Sequence, residues 1–90
     1  MSMDYATQEG KVQKWLLRVL SDLRVDLENP DFLSALWTEI NHRFPEGYRL
    51  YGDQIFTDKT PDDLGVDAME ELADFFIYMA VMYDKMAPDG

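Results

Sequence analysis

Apolar residues return every three or four positions along the first third of the chain: Val12, Trp15, Leu16, Val19, Leu20, Leu23 and Leu27. Gln13, Lys14, Arg18, Ser21 and Arg24 fall between them, so the spacing predicts a first helix from about Lys11 to Asp26 with a single apolar stripe. Asn29-Pro30-Asp31 then supplies an N-cap, a proline at the first helical position and an acid for the positive end of the helix dipole. The second helix is carried by Leu33, Leu36, Trp37, Ile40 and Phe44, and Pro45 is expected to end it.

Residues 45–59 break the helical rhythm. Tyr48-Arg49-Leu50-Tyr51 and Gln54-Ile55-Phe56-Thr57 flank Gly52-Asp53, and a glycine at the first turn position suits a type II′ hairpin or an ordered loop. Thr60-Pro61-Asp62-Asp63 is a further helix start. Gly65 is expected to interrupt it, with Asp67 and Glu70 restarting a third helix that runs to about Lys85 ahead of Pro88. No repeat or low-complexity tract divides the chain, so residues 1–90 read as one small helical domain. The expected fold is all-α: three helices, with a short loop or β-hairpin between the second and the third.

Charge narrows the function. Eight Lys and Arg face eighteen Asp and Glu, a net charge of −10, and so acidic a surface repels nucleic-acid phosphate. At 47% hydrophobic residues the chain can still build a core. With no cysteine, disulfides, thiolate catalysis and the usual zinc sites are excluded. The longest apolar run, Phe75 to Tyr83, is far shorter than the roughly 20 residues that span a bilayer. No Lys/Arg-led apolar stretch opens the sequence, so a cytoplasmic protein without a membrane partner is expected. That run is, however, apolar on every side, and a helix apolar all round must be covered all round. Self-association is the expected cover, as a homodimer or a higher oligomer built through the third helix.

Asp67, Glu70, Glu71 and Asp74 stand at i, i+3, i+4 and i+7, which places four carboxylates on one face of the third helix. The helix dipole favours the first of them. It does not account for Asp74, two turns in and followed at once by Phe75-Phe76-Ile77. Asp74 is therefore expected to find an Arg or Lys, or to share a cation. Paired carboxylates one turn apart are hard oxygen ligands, and Mg²⁺ takes one or two of them together with water and substrate phosphates. Mg²⁺ or Mn²⁺ is the expected cofactor under that reading; a solvated or Arg-paired face is the alternative.

The stretch Glu70-Glu71-Leu72-Ala73-Asp74-Phe75-Phe76 resembles the EELxD signature on the metal-binding helix of the MazG-like, all-alpha nucleoside triphosphate pyrophosphohydrolases. Tyr51-Gly52, Asp58 and Asp67-Ala68 ahead of it are similar to the Tyr-Gly loop and helix start of small bacteriophage proteins of that kind, so the likeness covers residues 47–84. The resemblance implies Glu71 and Asp74 as metal ligands, supported by Glu70 and by Glu39 on the second helix. It implies a bacterial cytoplasm as the setting. Arg49, Tyr51 and Lys59 are the candidate nucleotide-binding residues: Tyr48, Tyr51 and Arg49 beside Gly52 read either as a loop that grips a base or phosphate or as the aromatic cover of a small core. The family's second acidic motif is represented here only by Glu39 with His42, which implies slow or absent hydrolysis. His42 also reads as a helix-end residue facing the last carbonyls.

Other chemistry finds no support. The two serines, Ser2 and Ser34, and the single histidine suggest no nucleophilic triad, and no Gly-rich phosphate loop is present. Trp15 and Trp37 read as core or interface residues. A competing reading treats the net charge as the function: an acidic phage-type inhibitor or sequestering module that occupies a basic face of a host defence protein or takes up its ligand. A purely structural oligomerisation domain is the third.

Overall fold

A computed structural model of the chain describes residues 2–88. Four helices make up most of it: α1 (Tyr5–Asp26), α2 (Pro30–Tyr51), α3 (Gln54–Thr57) and α4 (Pro61–Met86). Among the described residues there is no strand, so the fold is all-α.

Each long helix begins on a side-chain cap. Asp4 accepts a hydrogen bond from the Thr7 amide at 2.8 Å, and this starts α1 at Tyr5 rather than near Lys11. The added turns are polar and carry no stripe, which is why the apolar rhythm misses them. Asn29 Oδ1 accepts from the Asp31 amide at 2.9 Å and opens α2 on Pro30. Thr60 and Asp63 form a reciprocal capping box at 3.1 and 3.0 Å at the head of α4.

Three expectations are corrected. Pro45 does not end the second helix: α2 continues to Tyr51. Proline inside a helix removes one hydrogen bond and costs about 3 kcal/mol, but it need not stop the chain from winding on. Beyond it, Arg49 reaches back one turn to Glu46 with a two-nitrogen ion pair. Gly52, at φ 64°, then closes the helix, its amide bonding to the Tyr48 carbonyl at 2.8 Å. The hairpin is absent for the same reason. Tyr48–Tyr51 is the last turn of α2, Gln54–Thr57 is α3, and Gly52 uses its positive φ to end a helix instead of turning a strand. Gly65 does not interrupt α4 either, since the capping box at Thr60 contributes about 1 kcal/mol against a glycine cost of similar size.

Packing is uneven. α1 and α4 lie against each other, and every other pair of helices touches only slightly. Val19 of α1 and Ala80 of α4 are the only fully buried apolar residues among those described. Around them Trp15, Leu16 and Leu23 from one side, and Phe75, Phe76, Met79 and Tyr83 from the other, are half-buried. The apolar run of α4 is thus covered on one side by α1, while Ile77, Tyr78, Val81 and Met82 stay exposed. No side chain of α2 is fully buried: Phe32 is half-buried, and Leu33, Leu36, Trp37, Ile40 and Phe44 face solvent. The radius of gyration, 16.5 Å, exceeds the roughly 12 Å of a compact chain of this length. No helix among the described residues is long and apolar enough to cross a membrane.

Candidate functional site

The acidic stripe falls on α4, whose unbroken course from the Thr60 cap keeps Asp67, Glu70, Glu71 and Asp74 in helical register. Its first member is neutralised. Lys59 donates to Asp67 Oδ2 at 2.8 Å, and this bond, with the nearby charges of Asp63 and Glu70, holds the Lys59 ammonium above its ordinary range. Glu70, Glu71 and Asp74 are exposed, and among the described residues Glu71 and Asp74 have no cation partner. Asp74 was expected to need an Arg, a Lys or a metal beside its apolar neighbours. Among the described residues it meets no Arg or Lys, and its side chain is exposed.

Glu39 is not brought to that face. It lies on α2, in the wall of an open groove of about 640 Å³ between α2 and α3. Tyr51 lines the same groove with Leu36, Ile40, Arg43, Phe44, Tyr48 and Phe56. Arg49, on the same helix, is occupied by Glu46; the bond raises the guanidinium and lowers the carboxyl. The candidate residues therefore divide into three places: Glu39 and Tyr51 in the groove, Arg49 on Glu46, and Lys59 on Asp67 beside Glu70, Glu71 and Asp74.

Among the described residues no group of three acidic or histidine side chains is placed to hold a metal ion. One chain therefore presents no closed metal centre. It does present Glu71 and Asp74 one turn apart, and a pair of carboxylates is the usual protein share of a Mg²⁺ site completed by water and phosphate oxygens.

The best-built polar arrangement was not foreseen from the sequence and joins α1 to α4. Trp15 Nε1 and Lys11 Nζ donate to the two oxygens of Asp84 at 3.1 and 3.0 Å. The indole bond first, and the ammonium second, hold the Asp84 carboxyl below its usual range. Tyr83 donates to Asp22, which Arg18 also meets at 3.2 Å. A signal was available. Asp84 is an acid in the last turn of a helix, where the dipole is unfavourable, so it calls for a donor from elsewhere.

No known family model, curated protein or solved structure matches the chain.

Proposed function

We propose that the protein works as an assembly of identical acidic helical subunits that binds a divalent cation together with a nucleotide, in the manner of the MazG-like proteins its α4 sequence resembles, with hydrolysis slow or absent. The observation that carries the assembly is the shortfall of burial. Among the described residues a lone chain fully buries only Val19 and Ala80, while the α2 stripe and half of the α4 run stay open. The cation reading is supported by Glu71 and Asp74, exposed carboxylates one turn apart on one face of α4. Glu71 and Asp74 offer the protein's share of ligands, and the triphosphate supplies the rest.

The test has two parts. Light scattering at tens of micromolar is expected to give a dimer or larger. Millimolar Mg²⁺ or Mn²⁺ is expected to raise the melting temperature beyond matched monovalent salt, and a nucleoside triphosphate to bind more tightly with the ion than without it. A melting curve indifferent to both ions removes the cation from the function.

A second reading is favoured by those same free carboxylates: the acidic face covers a basic surface on a partner protein. Such a complex weakens steeply with salt, mainly through its on-rate.

A further inference from the structure

We draw no further inference here: the strongest candidate, the open groove between α2 and α3 lined by Ile40, Phe44, Gly47 and Tyr51, is an apolar face with nothing in the structure to show what covers it.

Discussion

Tyr83 donates its phenolic hydrogen to Asp22 Oδ2 at 2.6 Å, tying the end of α4 to the later turns of α1. The Tyr83 ring also meets Trp15 edge-on at 6.1 Å between centroids, and Arg18 lies over it at 5.9 Å. The bond to Asp22 moves both groups away from neutral pH. It is the main cause lowering the Asp22 carboxyl below 3.8 and raising the Tyr83 hydroxyl above 10.0.

Two consequences for stability follow by linkage. Asp22 and Asp84 are both lowered in the folded chain. Their contribution is present above the ordinary carboxylate value and is lost as pH falls through the lowered one, so the loss begins near pH 4 and continues below it. Tyr83 is raised, so its contribution is present below the ordinary phenol value of 10.0 and is lost as pH rises through the higher one. Tyr83→Phe keeps the ring and removes the bond. It is expected to lower the melting temperature by a few degrees at pH 7 and to flatten the alkaline limb of a stability–pH curve. The same curve for Asp22→Asn should be flatter on the acid side.

Val19 and Ala80 carry the tightest packing, so truncation and enlargement there both destabilise. Val19→Ala removes buried carbon and leaves a small void, at a cost of about 2 kcal/mol. Ala80→Leu overpacks a position with no exposure, at about 1–3 kcal/mol. Leu17→Ala, at 80% exposure, should stay within about 0.5 kcal/mol of the wild type. Urea titration followed by helix signal ranks the three.

At the head of α4, Thr60→Ala breaks the capping box and is expected to cost about 1 kcal/mol. Gly65→Ala is expected to add up to about 1 kcal/mol, because the helix runs through the position and the new methyl group meets nothing within 4 Å. Thermal melts of the two variants should shift in opposite directions.

Glu71→Gln and Asp74→Asn test the acidic face. If this face receives a divalent ion, either change removes the ion-dependent gain in melting temperature while leaving the ion-free fold at least as stable, since like charges a turn apart repel. Both side chains are exposed, so neither substitution disturbs packing.

The helix starts were legible because caps are local chemistry. Asn29-Pro30 and Thr60-Pro61 open α2 and α4 where the sequence places them, and the Val12–Leu23 stripe does turn toward α4. The ends were not. Pro45 and Gly65 are strong local punctuators, yet each disfavours a helix by an amount that a cap or the following turn offsets, and a single sequence does not show that balance. Gly52 was recognised as a turn, but a positive φ serves a helix end as readily as a hairpin. The candidate site was legible only as a stripe on α4. Glu39 stands 45 residues before Asp84 and 31 before Glu70, and which helix packs on which decides whether such residues meet. Here α1 and α4 meet, so the polar contacts fall to Lys11, Trp15 and Asp22, which periodicity presents as ordinary helix residues.

The absence of any fully buried side chain on α2 divides the chain into two units of unequal tenacity. Amide protons of α1 and α4 near Val19 and Ala80 exchange only when the packed pair opens, whereas α2 in a dilute single chain is free to fray without disturbing that pair. Backbone amides from Phe32 to Tyr51 should then lose their protection first on dilution, and a protease should find the 52–60 connection long before it reaches the α1–α4 pair.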